Sequence, residues 1–403
     1  MIAPVPAARG RLLYLCLENP WHLNAGGLIR NYWLIRALAD RFDVDLVTGG
    51  DPRTPIPPDF DVLCASIHRY PAPGTFGRLV RAIHPRETLF TAGSVSRSMR
   101  VAVAGLLRRF PYAAIVLDLN MIGAIPAHCT VPLVYNAHNC ETALLRRRWR
   151  TETSLARRLA TALDAARLRP IEAQVIERAV LIAACSSADV EDLGALARIA
   201  RAKSVVVPNG VDTARYAALS TVRPEPGTVL VTGSFDWHPN RIGLRWFLRE
   251  VVPALRLFAA AEPLSVRIAG RMDAAFAAEI DAVPGVRAAP NVPDMRDELG
   301  RAQIVAAPIL ASSGTRLRIL EAWAAARPVV TTPEGALGLV HHDGTDLLVR
   351  AGAAPFAQAI AELLREPERR AALAAAGLRR ASAYDWRGIG NDLLDACAAA
   401  SLC

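Results

Sequence analysis

From residue 11 to residue 349, short apolar runs rich in leucine and β-branched residues alternate with longer amphipathic segments. This alternation constrains the fold most, because a strand followed by a helical crossover returns parallel to its predecessor. Parallel strands must be covered on both faces. Residues 11–17, 44–48, 114–119, 133–138, 180–186 and 205–208 read as buried strands, separated by helical patterns at 28–39, 96–109, 144–168 and 188–197. Residues 218–227, ALSTVRPEPG, break the rhythm with two prolines and a glycine. Beyond them, strands are expected at 228–233, 266–270, 286–289, 304–310, 329–332 and 347–349, and helices at 244–260, 274–282, 316–326 and 355–364. A chain of 403 residues is too long for one ordinary core. The expectation is an α/β chain of two Rossmann-like domains, 1–217 and 228–385, joined by the linker 218–227 and facing a central cleft. A last helix, 386–403, is placed to cross back onto the first domain.

One βαβ unit stands out. Residues 303–339 read QIVAAPILASSGTRLRILEAWAAARPVVTTPEGALGL, which is strand, small-residue turn, helix and strand. The four orphan N–H groups and the positive dipole end of such a helix favour an anion. Thr315, Arg316 and Arg318 add a hydroxyl and two cations beside the turn, so the stretch reads as a diphosphate site.

The 52% apolar content excludes a disordered chain. The net charge of +9 is carried almost wholly by arginine, since Lys203 is the sole lysine. No basic stretch is interleaved with regularly spaced aromatics, so no nucleic-acid partner is expected. The seven cysteines are odd in number, scattered and without a C-x-x-C pair, which argues against a disulfide framework and against a zinc site. No apolar run approaches the roughly 18 residues of a spanning helix. The expected location is cytoplasmic. Residues 144–169 carry eight arginines against Glu152 and Asp164. They read either as a solvated helix face or as a surface for anionic lipid on the cytoplasmic face of the inner membrane.

Several segments match one pattern together. PNGVD at 208–212 ends the first half, GSFDWHPN at 233–240 follows the first strand of the second, and SSGTRLRILEAWAAARPVVTTPEG and DLLV at 346–349 come behind. The first half supplies AGG at 25–27 and YNAHNCE at 135–141. In these segments the chain resembles the retaining glycosyltransferases of group 1 (family 4), of GT-B fold, and within them the bacterial exopolysaccharide and surface-glycan branch. The resemblance implies a nucleoside diphosphate sugar as donor, a glycan or lipid-linked acceptor, and no metal or other cofactor. Carried over by position, Glu321 matches the acid that holds the ribose hydroxyls, and a carboxylate accepts from two vicinal hydroxyls readily. The alternative is an ion pair with Arg318 on a solvated helix face, and the position of Glu321 within the turn-helix unit favours the ribose reading. Ser313 stands where the family has a sugar-binding acid. Gly314 lets backbone approach the phosphates.

The family's diphosphate-binding Arg and Lys follow the glycine of the strand that here ends at Gly233, but this chain has Ser234 at the first position and no lysine later. Breaking the bond to the diphosphate still calls for positive charge, and Arg316 and Arg318 are the candidates to supply it. The base is expected near Gly270, Arg271, Asn291 and Val292. His138 matches a histidine that faces the donor sugar, and Gly26 and Gly27 form a second helix start on the acceptor side. Two other readings stay open: a sugar-nucleotide 2-epimerase of the same fold, and a nucleotide-sugar-binding protein without turnover.

Overall fold

The computed structural model describes residues 9–23, 25–71, 88, 94–152, 154–310 and 316–402. The chain forms two compact units. The first comprises the described residues through Pro208 and from Ile389 onward, and the second runs from Asn209 to Gly388. The expected linker 218–227 lies inside the second unit, where the buried Arg327 guanidinium donates to the carbonyls of Leu219 (3.3 Å) and Val222 (3.0 Å).

In the first unit β1 (Gly10–Cys16), β2 (Phe42–Gly49), β3 (Ser66–Tyr70), β4 (Ala114–Leu117), β5 (Leu133–Ala137), β6 (Ala179–Ala184) and β7 (Ser204–Val206) form one parallel sheet. Its order is β3-β2-β1-β4-β5-β6-β7. Chain direction across the sheet reverses between β1 and β4, and the carboxyl ends of these strands flank the crevice where such folds bind ligands. Leu13 and Leu15 of β1, Val47 of β2, Ile115 and Leu117 of β4 and Leu133 of β5 pack with Met99, Val103 and Leu106 of helix Arg97–Arg109 on one face, and Tyr135, Ile182 and Leu168 pack on the other. The edge strand β3, SIHRY, was not expected, because every residue in it is only part-buried and it carries no apolar run. Asp45 of β2 is fully buried. It accepts from Arg11 Nε (2.6 Å), Ser66 Oγ (2.5 Å) and Tyr112 OH (2.5 Å), which is a structural role.

The basic segment expected as one helix at 144–168 is two helices, Glu141–Thr151 and Leu155–Arg178. The first of these helices ends before Glu152 and the second begins after Ser154, whose N–H donates to the Glu152 carboxylate at 3.1 Å. Helix Glu141–Thr151 has no capping side chain of its own. Buried Glu172 serves instead, accepting from the N–H groups of Glu141 and Thr142, both at 2.9 Å.

In the second unit β8 (Thr228–Ser234), β9 (Ser265–Arg271), β10 (Val286–Pro290), β11 (Ile304–Ala307), β12 (Val329–Thr331) and β13 (Leu348–Val349) form a parallel sheet of order β10-β9-β8-β11-β12-β13. Its reversal falls between β8 and β11, and two apolar clusters cover its faces. The helix expected at 244–260 starts earlier, at His238. It passes through a π-helical segment, Phe247–Val251, before continuing as Val252–Phe258. Pro253 has no N–H to offer the regular ladder, and the wider turn precedes it. Helix Leu317–Ala324 follows β11 and precedes β12 in the chain, and its Trp323 is fully buried.

Candidate functional site

Each unit places a polar group of residues at the reversal point of its own sheet. In the second unit β8 and β9 lie so close at their carboxyl ends that a Cβ on Gly270 would sit 1.8 Å from the Gly233 carbonyl oxygen, and Gly270 has φ +142°. Glycine is required there. Over Gly233 lies the Arg318 guanidinium, both of whose terminal nitrogens would be 3.4 Å from a Cβ at that position. Arg318 donates to Asn240 Oδ1 (2.8 Å), and Asn240 Nδ2 donates in turn to the Ser234 carbonyl (2.7 Å). A cation from the helix after β11 therefore stands beside the glycine of β8. Burial draws the Arg318 guanidinium down to about 10, against the raising influence of Glu321.

One turn along the same helix, Glu321 accepts from Tyr216 OH at 3.0 Å. Burial pushes its carboxyl above the ordinary glutamate range, opposed by the Tyr216 hydroxyl and by the charges of Arg215 and Arg318. Ser234 Oγ accepts from Arg271 (2.9 Å), which also pairs with Asp236 (2.6 Å). Asn291 has φ +53°. Its N–H donates to the Gly270 carbonyl (2.8 Å), and its side-chain amide closes on the backbone of Met272. Val292 is part-buried against the core. Gly233, Ser234, Gly270, Arg271, Asn291, Arg318 and Glu321 are thus gathered along the ends of neighbouring strands.

Arg316 is not turned the same way. It is 5% exposed and donates to the Glu334 carbonyl at 3.0 Å. Ser313, Gly314 and Thr315 lie outside the described residues, so the turn singled out in the sequence is framed only by its flanks.

In the first unit helix Gly26–Leu38 begins at the two glycines expected there. A Cβ on Gly27 would lie 3.5 Å from His138 Cε1 and 3.6 Å from its Nδ1, so this edge of the imidazole is left uncovered by the glycine. The other edge is held: His138 Nε2 is 2.9 Å from Asp118 Oδ1. Asp118 accepts from Asn31 (2.9 Å) and Asn136 (2.8 Å), and fully buried Arg30 donates to Asn136 Oδ1 (2.7 Å). Two residues past the histidine's neighbour Asn139, Glu141 is pushed up to about 7, chiefly by burial.

Sequence reasoning missed Asp118, Asn31, Arg30, Tyr216 and Asn240. Asp118 carried a usable signal, being the first polar residue after an apolar strand, as His138 is. The others are brought in by helices and offered none.

Residues 26–215 match the family model described as Glycosyltransferase Family 4, and residues 226–366 match that of Glycosyl transferases group 1. Among solved structures, the chain is similar to HepE of Anabaena in complex with UDP and glucose, with 17% identity and a TM-score of 0.63 over 96% of this chain and 99% of that one. It is also similar to sucrose-phosphate synthase of Thermosynechococcus elongatus, with 18% identity and a TM-score of 0.69 over 96% and 98% of the two chains. A third likeness is to the lipopolysaccharide outer core galactosyltransferase WaaB in its apo form, with 11% identity and a TM-score of 0.59 over 96% and 99%. At these identities the structural likeness speaks for the fold. No curated protein sequence matches the chain.

Proposed function

The chain belongs to the group 1 (family 4) glycosyltransferases of GT-B fold, and from that premise we propose that it transfers a sugar from a nucleoside diphosphate sugar, with retention at the anomeric carbon, to a glycan or lipid-linked acceptor of a surface polysaccharide. The observation that carries the donor assignment is the Arg318 guanidinium over Gly233 with Glu321 one turn behind it. In this reading Arg318 meets the diphosphate and Glu321 the ribose hydroxyls. Gly270, Arg271, Asn291 and Val292 border the base. That HepE was solved with UDP and glucose supports a nucleotide-sugar donor.

During transfer the anomeric carbon–phosphate oxygen bond breaks and a bond to the acceptor oxygen forms on the same face. The acceptor proton passes to the departing phosphate, whose growing charge Arg318 stabilises. The reading requires no metal, because a fixed cation already serves the leaving group. In the first unit, His138 and the Gly26–Gly27 helix start are read as contacts for substrate.

A lipid-linked acceptor calls for a peripheral site on the membrane face. Among the described residues no helix is long and apolar enough to cross a membrane. The two basic helices supply a surface instead: Leu155, Leu159 and Leu163 recur every four residues and are 72%, 63% and 54% exposed, near the arginines of residues 146–158.

Incubation with a panel of nucleotide sugars, following nucleoside diphosphate release with and without a membrane extract, tests the proposal. Release that depends on the extract supports it. An isomerised donor formed without acceptor points to the epimerase and overturns it, as does binding with neither release nor isomer.

A further inference from the structure

His138 can present either ring nitrogen to a ligand, and donor counting in the network behind it decides which. Arg30 is fully buried and can only donate. Its terminal nitrogens donate to the carbonyls of Val207 (2.5 Å) and Ala183 (3.0 Å), which fixes the guanidinium, and its Nε donates to Asn136 at 2.7 Å. The Asn136 atom facing Nε is therefore the oxygen, and the amide cannot be flipped. Both hydrogens of Asn136 Nδ2 then point at the two nearest acceptors, Asn31 Oδ1 and Asp118 Oδ1, each at 2.8 Å.

The Asn31 oxygen also takes the Tyr14 hydroxyl at 2.8 Å, so Asn31 in turn offers its NH2 to Asp118 Oδ2 at 2.9 Å. Asp118 thus receives on both oxygens and acts as an acceptor. Asn136 lies 3.3 Å from His138 Nε2 but has no hydrogen left to give it. The 2.9 Å contact between Nε2 and Asp118 Oδ1 is a hydrogen bond only if Nε2 carries the proton.

We propose that Arg30, acting through Asn136 and Asp118, locks the singly protonated ring of His138 as the Nε2–H tautomer, so that Nδ1, beside side-chain-free Gly27, accepts a hydrogen bond from a hydroxyl of the bound sugar or acceptor. Arg30, Asn136 and Asp118 are positioning residues in this scheme. The scheme rests on the reading above that His138 meets substrate. It adds the direction of that contact: the ligand must bring a donor. A 6-deoxy or O-methylated sugar lacking that hydroxyl hydrogen would leave the Nδ1 lone pair without a partner.

The first test needs no variant. A long-range proton–nitrogen correlation spectrum of protein labelled with nitrogen-15 histidine reports the tautomer, with His138 assigned by its loss in His138→Gln. A protonated Nε2 and bare Nδ1 at neutral pH are expected, and a protonated Nδ1 overturns the lock. Asp118→Asn should then mix the tautomers and lower kcat by about 10–100-fold, the scale on which partners of a working imidazole act, while donor KM changes by no more than about twofold. An unchanged tautomer and unchanged kcat in that variant would also overturn it. Full turnover by His138→Gln would overturn the substrate contact alone, while the wild-type spectrum still decides the tautomer.

Discussion

Arg316 and Arg318 stand two residues apart at the head of one helix, and the same side chain meets different surroundings. Arg316 is buried on the Glu334 carbonyl, whereas Arg318 lies over Gly233. Removing Arg318 should therefore act on binding. Isothermal titration with nucleoside diphosphate is expected to show roughly ten- to hundredfold weaker affinity for Arg318→Ala; unchanged affinity would remove Arg318 from the donor site. Arg316→Ala is expected to leave affinity within about twofold and instead to cost about 1–2 kcal/mol in urea denaturation, because the part-buried Glu334 carbonyl loses a donor. Their sequence spacing could not separate these roles. Both look like cations at a helix start, and only the backbone of residues 333–336 distinguishes them. The group around His138 was hidden for a related reason. Arg30 and Asn31 lie more than a hundred positions from Asn136, and a buried arginine in an arginine-rich chain carries no local mark. The histidine itself was visible, because it closes an apolar strand.

At the scale of elements, alternation of apolar runs placed the central strands well, since they are buried on both faces. It failed where burial is partial, as in β3, and where one helical pattern conceals two helices, Glu141–Thr151 and Leu155–Arg178. The end of helix Leu317–Ala324 shows a residue at odds with its conformation. Ala326 has φ +53°, and the following Arg327 N–H reaches back to the Ala322 carbonyl at 2.8 Å. Such a left-handed helix end favours glycine. Ala326→Gly is expected to raise the urea midpoint, by about 0.5–1 kcal/mol of stability; a lower midpoint would show that no strain is relieved.

A second element carries a pH signature. Glu141 opens its helix and is raised from the ordinary 4.5 to about 7, chiefly by burial. The folded chain then holds this proton where the unfolded chain has released it. Its contribution is fullest below about pH 4.5 and is lost as pH rises to about 7, with a flat profile above. Chemical denaturation from pH 4 to 8 should show wild type losing of order 1–3 kcal/mol relative to Glu141→Gln across that window. Parallel profiles would refute the assignment.

For the whole molecule, the basic helix pair makes a prediction about location. Replacing Leu155, Leu159 and Leu163 with glutamine should abolish co-sedimentation with phosphatidylglycerol vesicles, as should raised salt, while nucleotide-sugar binding stays unchanged. Wild-type protein that ignores such vesicles would leave the leucine stripe without this role. The two-unit plan itself was legible from the restart of alternation after residue 227, although the chain divides after Pro208 and residues 218–227 belong to the second unit.

Helix Trp386–Ala399 has its own implication for how the protein is made. It starts in the second unit and ends in the first, where a Cβ on Gly390 would stand 2.7 Å from Ala37 Cβ and where Ile389, Leu393, Leu394 and Cys397 are buried. A ribosome must therefore finish the entire second unit before the first receives its closing helix. Until then the nascent first unit leaves the surface beside Ala37 open, and its completion waits on translation rather than on its own folding rate.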